Sequence, residues 1–243
     1  MRLLEELQMN ALPSLQTFLF DGWVLRFSDG YTNRANSINP VYEGKEDVNC
    51  KISKCEELFR NRDLIPTYKI TPFIFPQNLD RLLEERGYKK IHNTSVQLLS
   101  LQNYKGIDMT SVITKNAFHE TWFDYYCTFN GISEKNACIN KKMLNNIISD
   151  TFYTLLQVES EIIACGMAVI EHNYLGIFDI TVSENYRNKG YGTQLIESML
   201  SIGKEHGANN AYLQVMTNNK PALKLYKRFG FSEEYQYHYR KLE

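Results

Sequence analysis

The stretch 176–193 constrains the fold of this chain more than any other part of its 243 residues. An apolar strand is predicted to end at Val182, a polar turn follows, and a loop with Gly190 and Gly192 opens an amphipathic helix. Backbone amides at such a helix start point along the helix axis, where the helix dipole adds partial positive charge. The sequence therefore predicts an α/β fold with an anion cradle suited to a phosphate or pyrophosphate.

The spacing within this loop excludes two common nucleotide-binding motifs. A P-loop requires Lys after its second glycine, whereas Thr193 follows Gly192 here. A Rossmann fingerprint requires a third small residue three positions past the second glycine, where this chain has Leu195. Arg187 and Lys189 place positive charge at the mouth of the cradle, so an anionic ligand is still expected.

Composition and charge exclude other classes of protein. A hydrophobic fraction of 43% is ordinary for a globular chain, and 27 Lys+Arg against 28 Asp+Glu leave no basic excess for nucleic acid. No apolar run approaches the roughly 18 residues of a membrane helix, and Glu5 and Glu6 interrupt the N-terminal stretch where a signal peptide would be apolar. We expect a cytoplasmic monomer or homodimer without a nucleic-acid or membrane partner.

The cysteines and histidines show no metal-ligand spacing. The five cysteines include no CxxC pair, which favours a reducing compartment, and the five histidines form no HxxxH or HExxH motif. No metal is therefore expected. Cys55 and Cys165 have apolar neighbours, so we expect buried core thiols, with a catalytic cysteine as the alternative.

Hydrophobic periodicity predicts alternating helices and strands along most of the chain. Residues 48–59 and 78–86 are expected to be helical, with strands over 68–75 and 95–101. Further on we expect helices over 110–130, 134–148, 190–206 and 219–229, and strands over 152–157, 161–171, 174–182, 211–215 and 235–242. The pair His172-Asn173 is short enough for a tight hairpin turn.

When the sequence is compared with itself at an offset of 143 residues, elements of the first part coincide with elements of the second. This shift places helix 48–60 on 191–203, strand 68–75 on 211–218, strand 95–99 on 238–242, and Gly87-Tyr88 on Gly230-Phe231. Four elements in register suggest a duplicated strand-helix unit, and chance similarity of two ordinary α/β stretches is the alternative. We expect two similar halves in tandem, residues 1–103 and 104–243.

Two motifs in the second half carry a family resemblance. Residues 187–192 read R-x-x-G-x-G, and about thirty residues on comes N-x-x-A-x-x-x-Y-x-x-x-G-F over 219–231, with strand 211–215 between them. Together they resemble the GNAT superfamily of N-acetyltransferases from about Phe152 to Leu242, and the likeness extends back to about Tyr104. The resemblance implies a mixed, mostly antiparallel central sheet flanked by helices, and acetyl-CoA as the cosubstrate.

The resemblance also implies a set of cofactor-binding residues. Free backbone groups of Ile180 and Val182 would pair with the pantetheine amides as an added strand does. The loop would hold the pyrophosphate, with amides from Asn188 to Thr193; its residues are Arg187, Asn188, Lys189, Gly190, Tyr191, Gly192 and Thr193. Asn219 would cap the next helix near the pantetheine, and the small Ala222 would let the cofactor arm pass.

Two side chains are candidates for the chemistry. Tyr226 lies one helical turn beyond Ala222, where a phenol could hydrogen-bond the thioester sulfur and protonate the leaving thiolate; packing against Phe229 is the alternative. Asp179 interrupts an apolar strand, and a carboxylate there is costly unless it is partnered or functional. We expect Asp179 to be the general base, with a structural ion pair or cap as the alternative. The other candidates for the base are Glu120, Asp124 and Glu171.

The first half lacks the corresponding residues. Under the 143 shift the cradle falls on 44–50, which has one glycine and the carboxylates Glu46 and Asp47, so it would repel pyrophosphate. Tyr226 falls on Leu83 and Asn219 on Pro76. We expect a degenerate GNAT-like half that has lost cofactor binding.

The sequence therefore predicts an enzyme that transfers an acetyl group from acetyl-CoA to a primary amine by direct attack in a ternary complex. A non-catalytic acyl-CoA-binding or sensing module is the alternative from another class. A transferase that uses a longer acyl chain would carry the same motifs. No feature of the sequence names the acceptor, which could be a small molecule or a peptide.

Overall fold

The computed structural model describes residues 2–106 and 112–242 and divides the chain into two compact units. Unit 1 comprises Met1–Val96, Val215–Asn219 and Glu233–Glu243, and unit 2 comprises Gln97–Gln214 and Lys220–Ser232. The first change of unit falls a few residues before the expected boundary at 103/104, which stays a prediction.

Unit 1 is a sheet with helices packed on it. Its elements are α1 (Arg2–Ala11), β1 (Gln16–Phe20), β2 (Trp23–Phe27), β3 (Ser37–Asn39), α2 (Val48–Arg60), β4 (Thr67–Ile70), α3 (Leu79–Glu85), most of β5 (Lys89–Ser100) and nearly all of the last strand, β11 (Ser232–Lys241). The strand order is β1-β2-β3-β4-β11, and only the β3–β4 pair is parallel.

The core of unit 1 explains why α2 forms where it does. Ile52, Cys55 and Phe59 recur at helical spacing, and all three are fully buried against the sheet with Trp23 and Tyr68. Cys55 is therefore a core thiol, as expected.

Unit 2 contains the two motif segments. Its elements are β6 (Val112–Lys115), α4 (Glu120–Asn130), α5 (Glu134–Leu144), β7 (Asp150–Val158), β8 (Glu161–Glu171), β9 (Tyr174–Val182), α6 (Tyr191–Glu205), most of β10 (Asn210–Met216) and α7 (Lys220–Arg228). The strand order is β10-β9-β8-β7-β6, antiparallel except for the β9–β10 pair. The expected mixed, mostly antiparallel sheet with flanking helices is confirmed.

Several boundaries differ from the prediction for local reasons. The helix expected over 110–130 begins only at Glu120: residues 110 and 111 lie outside the described part, and 112–115 form β6, paired with β7. The His119 side chain caps α4 by accepting a hydrogen bond from the Trp122 amide. Strand β4 ends at Ile70 rather than at residue 75, since Pro72 has no amide hydrogen to donate to a sheet.

The two units repeat one order of elements. Unit 1 runs β1-β2-β3-α2-β4 and unit 2 runs β7-β8-β9-α6-β10, each with a helix that joins the two parallel strands. The 143-residue shift places the first residue of α2 on the first residue of α6, and the first residue of β5 on the first of β11. This correspondence supports the tandem arrangement of similar halves.

Candidate active site

A β-bulge at Asp179 shapes the end of β9. Strand β9 has one more residue than β8 in this region. Phe178 lies opposite Met167 and Thr181 lies opposite Cys165, so two residues of β9 face one of β8 between these pairs. Asp179 has φ of +52°, a conformation that L-residues adopt at a cost. Because a bulge redirects the side chains of its strand, Asp179 departs from the regular alternation of β9.

Strand β9 continues beyond its pairing with β10. The parallel pairs between these strands end at Ile177 opposite Leu213, whereas β9 runs on to Val182. Ile180 and Val182, predicted to pair with the pantetheine, lie in this terminal part. The two strands therefore separate where the cofactor arm was expected to enter.

The backbone groups of Val182 face away from β8. The Ser183 amide donates to the Ile163 carbonyl at 2.8 Å, and in an antiparallel ladder the neighbouring residue points its amide and carbonyl to the other side. The Val182 carbonyl was expected to be free. It instead accepts a hydrogen bond from Arg187 Nε at 3.2 Å, since the polar loop turns back beneath the strand end.

The loop before α6 has the backbone shape of an anion-binding concavity. Asn188 and Gly190 both adopt left-handed conformations, with φ of +61° and +87°. In the part of the chain that the structure describes, no protein group accepts a hydrogen bond from the amides of residues 188–192. The Thr193 amide, also expected in the cradle, donates to the Gly190 carbonyl at 3.0 Å. The open amides are thus those of 188–192, and their number and direction fit an anion such as pyrophosphate.

Two cations lie at this loop, and both are exposed. Arg187 ties the loop to β9, and its Nη1 lies 3.4 Å from a Glu184 carboxylate oxygen, a surface ion pair of small energetic weight. Lys189 Nζ lies 5.1 Å from the centre of the Tyr186 ring, which in turn packs 6.0 Å from Tyr191. The loop therefore carries positive charge at its surface.

One face of α7 meets the start of α6. A Cβ atom added to Gly192 would lie 3.4 Å from Leu225 Cδ2 and 3.8 Å from Val182 Cγ2. Ala222, Leu225 and Tyr226 share that face of α7 because they are three and four residues apart. The end of β9, the start of α6 and the Tyr226 face of α7 therefore come together in unit 2.

The Tyr226 side chain is half-buried and packs edge-on against Phe231, with ring centres 6.0 Å apart. Its hydroxyl has no hydrogen-bond partner among the described residues. Burial raises the pKa of the Tyr226 phenol above its usual value, so the group is protonated at neutral pH. Tyr226 thus offers a hydroxyl proton, and its role in the reaction stays a prediction. The role of Asn219 also stays a prediction. This residue immediately precedes α7 and falls in unit 1.

The Asp179 carboxylate interacts electrostatically with two side chains on the side of the sheet that carries α4. Tyr153, Met167 and Phe178 stand opposite one another on β7, β8 and β9 and so share this face, on which Cys165 also lies. Burial raises the pKa of the Tyr153 phenol to about 12 and that of the Cys165 thiol above its usual range, and the Asp179 carboxylate adds to both effects. The Asp179 carboxylate therefore lies within electrostatic range of both groups. Nothing in the sequence distinguishes Tyr153 from the other tyrosines.

The other candidates for the base are less well placed. Glu120 accepts a hydrogen bond from Lys141 Nζ at 2.7 Å, and Asp124 is exposed on α4. Glu171 lies at the far end of the β8–β9 hairpin, beside the confirmed tight turn at His172-Asn173, where both residues have positive φ. The nine residues of β9 span about 27 Å, which places Glu171 too far from the cradle.

Within residues 2–106 and 112–242, no cluster of three or more His, Cys, Asp and Glu side chains has the geometry to hold a metal ion. No helix in those residues combines the length and the apolar character needed to cross a membrane. All five cysteines are free thiols, and Cys165 is buried, as expected.

Comparison with known proteins places this geometry in a family. A family model described as "Probable histone acetyltransferase Rv0428c C-terminal" matches residues 1–240. YobR of Bacillus subtilis (strain 168), described as an uncharacterized N-acetyltransferase, is 28% identical over 244 residues, which cover 98% of this chain and 97% of YobR.

Solved structures share the fold over most of the chain. A GCN5-related N-acetyltransferase from Kribbella flavida superposes with a TM-score of 0.75 at 12% identity, covering 99% of this chain and 94% of the other. A tandem GNAT protein from the clavulanic acid biosynthesis pathway gives a TM-score of 0.66 at 11% identity, covering 85% and 75%. At these identities the likeness shows the fold.

Proposed function

Since this chain belongs to the Rv0428c C-terminal acetyltransferase family, and with it to the GNAT superfamily, we propose that unit 2 acetylates a primary amine. An acyltransferase activity of the GNAT type follows from the family. The proposal adds that acetyl-CoA binds at the start of α6 and that the amine attacks it directly in a ternary complex, without a covalent enzyme intermediate. The acceptor is a small-molecule or peptide amine.

The open amides of residues 188–192 carry the proposal. They have no protein acceptor in the described part of the chain, they lie at the positive end of a 15-residue helix, and Gly190 holds the loop in a left-handed conformation. A pyrophosphate would satisfy these amides with charge-assisted hydrogen bonds. Acetyl-CoA would supply the activated acetyl thioester, and the edge of β9 beyond Ile177 would line its pantetheine arm.

Tyr226 would stabilise the departing sulfur. An ordinary phenol has a pKa near 10 and a thiol near 8.5, and burial raises the pKa of Tyr226 further. Complete proton transfer to the thiolate is therefore unfavourable in this environment. A hydrogen bond from the phenol still stabilises the negative charge that develops on sulfur in the transition state.

Asp179 would take the proton from the attacking amine. Its carboxylate helps to raise the pKa values of Tyr153 and Cys165, which lie on the α4 side of the sheet. Both neighbours stay protonated at neutral pH. Among these three groups the carboxylate is thus the one able to accept a proton, directly or through water.

The test is a thiol-release assay with acetyl-CoA and a panel of amines that includes amino acids, polyamines, aminoglycosides and peptides. For an amine that is turned over, Tyr226→Phe should lower kcat about 10²–10³-fold, the usual effect of losing one hydrogen bond to charge that develops in the transition state. The affinity for acetyl-CoA should change little, because the ring and its packing on Phe231 remain. Tyr174→Phe, at the opposite end of β9, is the matched control and should turn over normally.

Two results would count against the proposal. Normal turnover by Tyr226→Phe would make Tyr226 a packing residue. Tight binding of acetyl-CoA without acetylation of any amine in the panel would favour an acyl-CoA sensor instead.

A further inference from the structure

Tyr153 is a buried tyrosine with an unused hydroxyl. It lies in the middle of β7 with 3% of its surface exposed, yet none of the described residues forms a hydrogen bond with its hydroxyl. Buried tyrosines usually find a partner, because desolvating an unpaired hydroxyl is unfavourable. A hydroxyl kept in this state is ready to bond a group from outside the protein.

Two aromatic rings fix the direction of the Tyr153 side chain. Its ring meets those of Trp122 and Phe118 edge-on, with centres 4.9 Å and 5.8 Å apart. Trp122 is itself held in place, because its Nε1 donates to the Gly166 carbonyl at 2.9 Å and its ring stacks on Tyr126. The ring of Tyr153 is thus a rigid support for its hydroxyl.

The Tyr153 phenol and the Asp179 carboxylate lie within electrostatic range of each other. Tyr153 on β7 and Phe178 on β9 share one face of the sheet, and Asp179 follows Phe178 at the bulge. Helix α4 covers this face as far as Thr181, whose hydroxyl donates to Asn130 Oδ1 at 3.2 Å. The phenol and the carboxylate therefore belong to the part of unit 2 that α4 covers.

The charge that suits an amine here is the Asp179 carboxylate, since Glu120 and Asp124 lie on the exposed face of α4 and Glu120 is paired with Lys141. Tyr153 stays neutral because burial, with a contribution from Asp179, raises its pKa to about 12. Its oxygen therefore accepts a hydrogen bond without competing with Asp179 for the proton of the amine.

We propose that Tyr153 is an acceptor-binding residue whose hydroxyl oxygen accepts a hydrogen bond from the acceptor amine and holds its nitrogen beside Asp179. This inference rests on the proposed function. It assigns Tyr153 to amine binding alone, and acetyl-CoA binding at the start of α6 does not depend on it. The role is distinct from that proposed for Tyr226, which is to bond the departing sulfur.

The test is Tyr153→Phe, assayed with the amine of lowest KM in the panel. Loss of one hydrogen bond should raise the KM of the amine about 10-fold, while the affinity for acetyl-CoA stays at the wild-type value. The melting temperature should not fall, because the hydroxyl has no partner among the described residues to lose. Tyr68→Phe makes the same change at a fully buried tyrosine of unit 1 and should leave the KM unchanged.

The outcomes separate this inference from the proposed function. If the wild type turns over an amine and Tyr153→Phe has the same KM, the assignment of Tyr153 is wrong and the proposed function stands. A lower melting temperature with an unchanged KM would make Tyr153 a structural residue and would also overturn the assignment. If the wild type acetylates no amine, the proposed function and this inference fail together.

Discussion

The start of α2 in unit 1 and the start of α6 in unit 2 are the same position of a repeated element with opposite properties. The N-cap residue of α2 is Asp47, whose side chain accepts hydrogen bonds from the amides of Asn49 and Cys50. The N-cap residue of α6 is Gly190, which has no side chain and leaves the amides of its loop open. The 143-residue shift places Asp47 on Gly190. One helix start supplies its own anion, and the other is available to a ligand.

A second carboxylate, that of Asp21, occupies further backbone amides before α2 in unit 1. Asp21 accepts hydrogen bonds from the amides of Lys45 and Glu46 at 2.9 and 3.0 Å, and Lys51 Nζ lies 3.0 Å from it. Those amides hold the pKa of Asp21 at about 2, and the Cys50 amide lowers the pKa of Asp47. The sequence predicted that the carboxylates of Glu46 and Asp47 would repel pyrophosphate. The structure adds that Asp21 and Asp47 occupy the amides that such an anion would need.

The chemistry differs between the units in the same way. Leu83 stands where the shift would place Tyr226, and it is fully buried in the core of unit 1. Tyr226 is half-buried and keeps its hydroxyl available. Unit 1 therefore has neither an open cradle nor a proton donor at the equivalent position, and its duplicated elements contribute packing.

The largest expected effect comes from replacing the N-cap glycine of α6 with aspartate, the N-cap residue type of α2. Gly190→Asp places a carboxylate at the N-cap position of α6, beside the amides that the pyrophosphate would use. We expect the affinity for acetyl-CoA to fall about 10²-fold or more, since two or more hydrogen bonds to a charged group are lost. Isothermal titration with acetyl-CoA measures this change.

The matched control for that variant is Gly207→Asp. Gly207 follows the other end of α6, has φ of +83° against +87° at Gly190, and likewise has nothing within 4 Å of an added Cβ. Both variants carry similar backbone strain and the same added charge. If both weaken binding equally, strain or net charge is the cause, and the cradle assignment is wrong.

A smaller effect is expected from removing the cap of unit 1. Asp47→Ala leaves two amides of α2 unsatisfied, which should lower the melting temperature of the chain by about 2–4 °C. Affinity for acetyl-CoA and the number of sites should not change, because Asp21 still holds the amides of Lys45 and Glu46. Appearance of a second acetyl-CoA site in this variant would show that Asp47 alone closes unit 1.

The smallest expected effect is the pH dependence of the Asp21 contacts. Because the pKa of Asp21 in the folded state, about 2, lies below its ordinary value of about 3.9, the stabilisation is complete above about pH 4. It is lost as the pH falls toward 2. Asp21→Asn should therefore be less stable than the wild type at pH 6, and the difference should shrink between pH 4 and 2. A difference that is constant across this range would contradict the anionic role of Asp21.

The sequence predicted the parts of the fold that carry strong local signals. The bounds of β8 and β9 were predicted to the residue, because two long, mostly apolar runs flank a tight turn at His172-Asn173. Strands β1 to β3 were not predicted. They are only three to five residues long, and β2 and β3 are buried along their whole length, so no alternation marks them.

The site was predictable to the extent that the backbone motif defines it. The glycine loop and the α7 motif indicate open amides and the position of Tyr226, but a single Asp in an apolar strand does not reveal the bulge at Asp179. Tyr153 is one of 16 tyrosines, and only the cross-strand register places it on one face with Met167 and Phe178. The carboxylates that occupy the backbone amides before α2 include Asp21, which lies far from α2 in sequence and close to it in the fold.

The number of acetyl-CoA molecules bound per chain tests the central claim most directly. We expect calorimetric titration of the full chain to give one site, and the same titration of Gly190→Asp to give none over the range in which the wild type saturates. Two equivalent sites in the wild type, or one site of wild-type affinity in Gly190→Asp, would contradict the assignment of acetyl-CoA binding to the start of α6 alone.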